Sequence, residues 1–228
     1  MKRINLIITL FLSVITFTDA LSQGKISKDK KQLIDILESK EDRLIGISDN
    51  IWEAAETSLQ EFKSTKYLSD YAEENGFTVV RGVAGMPTAF TATYGSGRPI
   101  IGILGEFDAN AGISQKRQST KEPLVKGAAG HGCGHNIYGT ASLGAAIAIK
   151  EMIESGQIKG TVRFYGTPAE ETIFGKVWMV RDGLFDDLDL CMDWHPSSEI
   201  SASTQSSKAL VDFRLRFYGD AAHASGDP

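Results

Sequence analysis

The sequence has few of the features that mark nucleic-acid-binding, disulfide-rich or repetitive proteins. Its 228 residues include 24 lysines and arginines against 29 acidic residues. No basic cluster exceeds a few residues. Because neutralising phosphates takes a dense basic surface, we expect no nucleic-acid partner. There are only two cysteines, and neither repeats nor low-complexity stretches occur. The hydrophobic fraction of 42% still suffices for a core, so one domain, or one domain and part of another, is expected.

No apolar run reaches the roughly 20 residues that a membrane span needs. The run at 4–17 follows Lys2 and Arg3, and small residues come after it at 18–22. This order is typical of a signal peptide. We therefore predict that residues 1–22 are removed on export, with an uncleaved anchor as the alternative. The mature protein is then expected to be periplasmic or secreted, with no membrane span.

Hydrophobic periodicity predicts alternating helices and strands. Helical spacing covers residues 29–75, read as two helices, and residues 137–153 and 177–181. Strand patterns occur at 77–80, 89–94, 99–105, 161–165, 188–192 and 209–217. Residues 110–130 read as a long loop. The alternation predicts an α/β sandwich with a largely parallel central sheet, in which the apolar segment 99–105 is a central strand.

Two of the four histidines and one of the two cysteines lie within five positions, as His131, Cys133 and His135. A thiolate and imidazoles are ligand types for a borderline divalent ion such as zinc. Further along, the adjacent carboxylates Glu170 and Glu171 are typical of hydrolysis, because one can bind metal while the other accepts a proton from water. The two side chains point apart if the chain there is extended.

Several of these residues directly follow predicted strands. Asp108 comes after 99–105, the glutamate pair after 161–165, and His195 after 188–192. Open α/β sheets bind their ligands at the carboxyl ends of strands, so we expect these side chains to share one edge. His131 is predicted to orient a neighbouring ligand rather than to bind metal.

Other interpretations of the cysteines and histidines stay open. The loop could form a structural zinc site, although no second ligand pair is present. Cys133 could be a thiol nucleophile with a histidine base. A Cys133–Cys191 disulfide is possible in an exported protein. We favour a thiolate ligand for Cys133 and a buried apolar role for Cys191.

Five motifs follow one another at residues 105–108, 130–136, 166–171, 193–195 and 222–224. Together, and in this order, they resemble the M20 metallopeptidase/amidohydrolase family. The branch that they resemble most is that of aminobenzoyl-glutamate utilisation protein B. The resemblance implies that residues 23–206 form the first half of a catalytic domain and that residues 207–228 begin a lid and dimerisation domain.

The resemblance also implies a site with two divalent ions, zinc or manganese. The implied metal ligands are Cys133, His135, Glu171 and His195. Glu170 matches the general base, and Asp108 matches a carboxylate that supports the metal centre. His223 matches a lid histidine that stabilises the oxyanion in the partner's site of a homodimer.

The implied activity is hydrolysis of an amide in a small N-acyl amino acid or dipeptide-like substrate, similar to aminobenzoyl-glutamate, by metal-activated water. The alternatives are an exported metallo-dipeptidase of the same family and a non-catalytic metal-binding module. The family's last metal histidine lies in a region beyond Pro228. We therefore expect the present chain alone to be inactive.

Overall fold

The computed structural model describes residues 26–202 and seven isolated positions between 209 and 219. The predicted signal peptide and His223 lie outside the described residues, as does much of the predicted strand 209–217. The chain divides into two compact units, one ending at Pro196 and the other beginning at Ser197. The elements below belong to the first unit. The predicted boundary between the catalytic half and the lid domain, at residue 206, stays a prediction.

Between residue 26 and the sheet the structure has three helices, where the sequence pattern predicts two. They are α1 (Lys28–Glu38), α2 (Glu41–Ala54) and α3 (Phe62–Glu74). The Ser27 hydroxyl accepts a hydrogen bond from Lys30 N at 3.2 Å and so caps α1. Ser39 ends α1, and its hydroxyl donates to Ile36 O at 2.6 Å. The apolar spacing continues through this break, which is why periodicity alone merges α1 and α2.

The remaining described elements are one mixed sheet, three further α-helices and a 3-10 turn at Val83–Gly85. The strands are β1 (Thr78–Arg81), β2 (Phe90–Ser96), β3 (Ile100–Glu106), β4 (Gly160–Thr167) and β5 (Leu190–Met192). The helices are α4 (His135–Glu154), α5 (Glu170–Ile173) and α6 (Gly175–Arg181). The strand order is β1-β2-β4-β3-β5. The pairs β4-β3 and β3-β5 are parallel, whereas β1-β2 and β2-β4 are antiparallel.

Apolar side chains cover both faces of the sheet, which confirms the α/β prediction. On β3 and β4, Ile103 and Phe164 pack with α2, α3 and α4, while their neighbours Leu104 and Tyr165 pack with α6 on the other face. Successive strand residues point to opposite faces, so each central strand contributes to both cores. Helices on both sides explain why residues 100–105 are almost wholly apolar.

Helix α4 approaches the end of β3 very closely because Gly139 has no side chain. A Cβ at Gly139 would lie 2.6 Å from Glu106 O and 3.3 Å from the Phe107 Cβ. Parallel pairing also sets Glu106 opposite Thr167, so that β3 and β4 end together. These two features bring the start of α4 and the ends of two strands to one place.

The expectation that Cys191 is a buried apolar residue is wrong. Cys191 is exposed, and its neighbours Leu190 and Met192 are 53% and 52% exposed. The reason is that β5 is the edge strand, which only β3 pairs among the described strands. Both cysteines are free, so no disulfide joins them. Among residues 26–202, no helix combines the length and the apolarity that a membrane crossing requires.

Candidate metal centre

The carboxyl ends of the central strands and the start of α4 bring the predicted site residues together. Atoms that could bind one ion, offered by Cys133, His135 and His195, all lie within 4.8 Å of one another. A second group within the same limit consists of Glu106, His135 and Glu170. His135 belongs to both groups, so they form one continuous centre.

His135 is fully buried and is oriented by Asp108. The His135 Nδ1 atom lies 3.1 Å from Asp108 Oδ1 and 3.1 Å from Asp108 O. The other carboxylate oxygen of Asp108 accepts a hydrogen bond from the Glu171 backbone N–H at 3.0 Å. Burial opposes protonation of His135, but the hydrogen bond and charge of Asp108 outweigh it and raise the pKa of the imidazole. Asp108 therefore fixes the positions of two predicted metal ligands, the His135 ring and the backbone of Glu171.

Cys133 and His195 face each other. The distance from Cys133 Sγ to His195 Nε2 is 3.4 Å, and His195 Nδ1 lies 2.8 Å from Pro196 O. With Nδ1 donating to that carbonyl, the Nε2 lone pair points to the sulfur. Burial raises the pKa of the Cys133 thiol, and the charges of Glu171 and Glu170 add to this. A raised pKa disfavours the free thiolate nucleophile, whereas a bound cation would displace the thiol proton.

The glutamate pair lies at the start of a helix rather than in an extended segment, so the extended geometry is wrong. Ala169 has a left-handed φ of 60°, and Glu170 and Glu171 open the single turn of α5. Consecutive helical residues still diverge, by about 100°. The Glu171 Oε1 atom lies 3.9 Å from His135 Nε2. Burial and then the charge of Glu171 raise the pKa of Glu170.

Glu61 is a buried residue at this site that the sequence did not point to. Its side chain is fully buried and accepts hydrogen bonds from Ala169 N at 2.9 Å and from Thr88 Oγ1 at 2.8 Å. It thereby fixes the turn that leads into Glu170. No local pattern identifies such a residue, because Ala169 is 108 positions away in the chain.

Glu106 and Lys176 also lie at the centre, although neither was a predicted site residue. Glu106 is 4% exposed, and its Oε2 atom is 2.9 Å from His135 Nε2. The Lys176 ammonium, on α6, contacts Glu106 Oε1. Glu106 could have been identified from the sequence, because it is an acidic residue at the end of an apolar strand. No comparable sequence pattern identifies Lys176.

His131 contacts the backbone of α2. Its Nε2 atom lies 3.1 Å from Ile51 O, and burial lowers its pKa to about 4. The ring is therefore neutral near pH 7 and donates Nε2–H to the carbonyl. Its described hydrogen bond is to backbone, so any effect of His131 on the ligands acts through the loop that it anchors to α2.

The unpaired polar atoms at this centre fit a divalent cation. Five buried side-chain atoms of the described residues have no hydrogen-bond partner, and Glu106 Oε2, His135 Nε2 and Glu171 Oε1 are three of them. Leaving such atoms unsatisfied costs about 1–3 kcal/mol each. A cation among them would satisfy all three, and the nitrogen, oxygen and sulfur donors are those that zinc and similar ions take.

Known proteins share this sequence and fold. Residues 105–207 match the model of Peptidase family M20/M25/M40. Over 195 residues the chain is 45% identical to one of the subunits of p-aminobenzoyl-glutamate hydrolase from Escherichia coli K12, and the match covers 85% of this chain and 40% of that protein. Over 196 residues it is 31% identical to N-acetyl-L-cysteine deacetylase of Bacillus subtilis 168, and the match covers 83% of this chain and 46% of that protein.

A crystal structure from Bacillus subtilis, described as a dinuclear metal binding peptidase from the M20 family, superimposes with a TM-score of 0.60 at 26% identity. The match covers 70% of this chain and 44% of that chain. The present chain thus spans less than half the length of each of these proteins. Motifs, fold and sequence similarity agree, and residues 105–207 belong to the M20 peptidase family.

Proposed function

We propose that this chain is the metal-binding part of an amidohydrolase that cleaves the amide bond of a small N-acyl amino acid or dipeptide-like substrate. The observation that carries the proposal is the convergence of Cys133, His135, Glu171 and His195 on one centre beside Glu170. The names of the two relatives describe a hydrolase of an aminobenzoyl amino acid and a deacetylase of an acetylated one. Both reactions break an amide, so we propose an aminobenzoyl-glutamate-like substrate.

In this proposal, Cys133, His135, Glu171 and His195 would hold two divalent ions. A divalent ion at such a site lowers the pKa of water and polarises the substrate carbonyl. The thiolate of Cys133 favours zinc, although manganese is the alternative. Asp108 accepts the Nδ1 proton of His135, which keeps the Nε2 lone pair available for an ion.

Glu170 is proposed as the general base. Its carboxylate accepts a proton from the attacking water and delivers it to the leaving nitrogen. The pKa of a general base works best near the operating pH, and the burial of Glu170 shifts its pKa in that direction. Glu61 supports this role, because it fixes the backbone N–H of the preceding residue.

The assembly and location of the whole protein are part of the same proposal. We infer export to the periplasm or beyond after removal of residues 1–22. We further infer a homodimer in which His223 reaches the partner's site and residues 207–228 begin the lid domain. The family resemblance and the charged, then apolar, start of the chain support these inferences.

The adjacent glutamates provide a matched pair of variants. In the full-length protein, Glu170→Gln should lower kcat for p-aminobenzoyl-glutamate by at least about 10²-fold while metal content stays unchanged, because only the proton acceptor is lost. Glu171→Gln should instead lower the metal content. Turnover and elemental analysis are measured on the same samples. Wild-type turnover in Glu170→Gln would remove the proposed mechanism, and a substrate panel separates this activity from that of a dipeptidase.

A further inference from the structure

We propose that Glu106 is a further ligand of the ion that His135 holds, and that Lys176 fixes the orientation of its carboxylate. This inference rests on the metal site proposed above and adds a residue to it. The two oxygens of Glu106 have different surroundings. Oε1 is in contact with the Lys176 ammonium, whereas Oε2 faces His135 Nε2 at 2.9 Å and has no hydrogen-bond partner.

The facing atoms are both buried and unpaired. The Nδ1 atom of His135 lies 3.1 Å from Asp108 Oδ1, so Nε2 is the ring nitrogen that remains for an ion. Neither Nε2 nor Glu106 Oε2 has a hydrogen-bond partner, although the two atoms are 2.9 Å apart. Glu106 is 4% exposed and His135 fully buried, so bulk water does not reach these atoms, whereas a bound cation would satisfy both.

The distances match ligands of one ion. Nitrogen and oxygen ligands lie about 2.0–2.2 Å from a zinc ion, so two of them are about 3.4 Å apart around a tetrahedral ion and about 3 Å apart where they stand at right angles. The 2.9 Å between Glu106 Oε2 and His135 Nε2 matches the right-angle spacing, which octahedral ions such as manganese take. Glu171 Oε1, 3.9 Å from the same nitrogen, lies within reach of the same ion. Cys133 and His195, whose donor atoms are 3.4 Å apart, are left to the second ion.

Lys176 explains how Glu106 can be a ligand in such an acidic place. Glu106, Asp108, Glu170 and Glu171 all lie at this centre, and their charges repel one another. By contacting Oε1, the ammonium neutralises part of that charge, and Oε2, which has no hydrogen-bond partner, faces His135. A carboxylate held in this way loses little conformational freedom when an ion binds.

Cobalt binding to the full-length protein tests the proposal without relying on activity. Bound cobalt per chain is counted after desalting, its dissociation constants are measured by competition with a chromophoric chelator, and the thiolate-to-cobalt absorption band reports the ion at Cys133. Wild type should bind two ions. Glu106→Gln should bind the His135 ion at least about tenfold more weakly and retain the thiolate band. Glu151→Gln, which removes a carboxylate paired with Lys40 at the far end of α4, is the control and should bind as wild type does.

The outcomes separate this inference from the proposed function. Wild-type cobalt content and affinity in Glu106→Gln would show that Glu106 is no ligand, while the metal site stands. A wild-type protein that binds no cobalt, or whose thiolate band survives Cys133→Ser, would remove the proposed site itself and the inference with it. Melting of the metal-free Glu106→Gln protein at or above the wild-type temperature identifies lost binding as a loss of the ligand and not of the fold.

Discussion

At the residue scale, the partners of each buried carboxylate decide what it contributes. Asp108 binds an imidazole nitrogen and a backbone N–H, Glu106 contacts an ammonium, and Glu61 accepts hydrogen bonds from two neutral donors. Burial therefore raises the pKa of Glu61, and the nearby charge of Asp108 adds to this. A carboxyl group whose pKa is higher in the folded state binds its proton more tightly there, so its ionisation destabilises the fold as the pH rises.

We predict that Glu61→Gln raises the melting temperature at neutral pH, because the amide keeps an acceptor for the Ala169 N–H without a buried charge. The difference from wild type should shrink as the pH falls below the ordinary pKa of a glutamate, where the wild-type carboxyl is neutral in the folded and the unfolded state alike. Each 1 kcal/mol gained corresponds to about 2–4 °C in a domain of this size. Thermal unfolding across this pH range measures the effect.

Glu73→Gln is the matched control, for which we expect the opposite change in stability. The hydrogen bond from Arg81 lowers the pKa of Glu73, so its charge favours the folded state above the ordinary pKa of a glutamate. This variant should lose stability at neutral pH and approach wild type on acidification. A difference between Glu61→Gln and wild type that does not change with pH would contradict the role given to burial.

At the element scale, α4 carries His135 to the ends of the strands. Its packing against β3 depends on Gly139, where a Cβ would meet the Glu106 carbonyl oxygen at 2.6 Å. Backbone cannot move aside as a flexible side chain can. The close approach of helix and strand is thus a condition for the 2.9 Å contact between Glu106 and His135.

We expect Gly139→Ala to destabilise the protein by about 1–3 kcal/mol and to weaken metal binding, because the clash displaces α4 from β3. Gly46→Ala is the control, since Gly46 also lies inside a helix but a Cβ there meets nothing within 4 Å. That substitution should stabilise α2 by up to about 1 kcal/mol. Denaturant unfolding compares the two variants. Equal effects of the same sign would contradict the packing argument.

At the scale of the whole molecule, three strand ends and one helix start concentrate acidic groups in a protein whose net charge is already −5. A cation bound there would cross-link the ends of β3, β4 and β5 and the start of α4, which come together only in the folded chain. Metal binding should therefore stabilise the global fold.

We predict that chelation lowers the melting temperature of the whole protein and that zinc or manganese restores it. An ion present at 100 times its dissociation constant contributes about 2.7 kcal/mol. Differential scanning fluorimetry with and without chelator measures the change, and magnesium, which binds thiolate and imidazole poorly, is the control. A melting temperature unaffected by chelation would count against metal as a structural link.

Much of the fold and part of the centre follow from the sequence. Five predicted strands and the long helix after the cysteine loop are present, with their bounds shifted by a few residues. Donor residues that follow apolar strands, such as Asp108 and His195, do meet at one edge. These features are local, because periodicity and residue type are properties of short segments.

Only the tertiary structure decided the contacts between segments far apart in the chain. The exposure of Cys191 depends on which strand lies at the edge, and the helical start at Glu170 depends on a turn that Glu61 holds from 108 positions before it. The contacts of Glu106 with His135 and Lys176 join three separate elements. Sequence determined which donor atoms are available to a cation, and the strand order and the packing of α4 determined which of them meet, because those distances depend on the whole core.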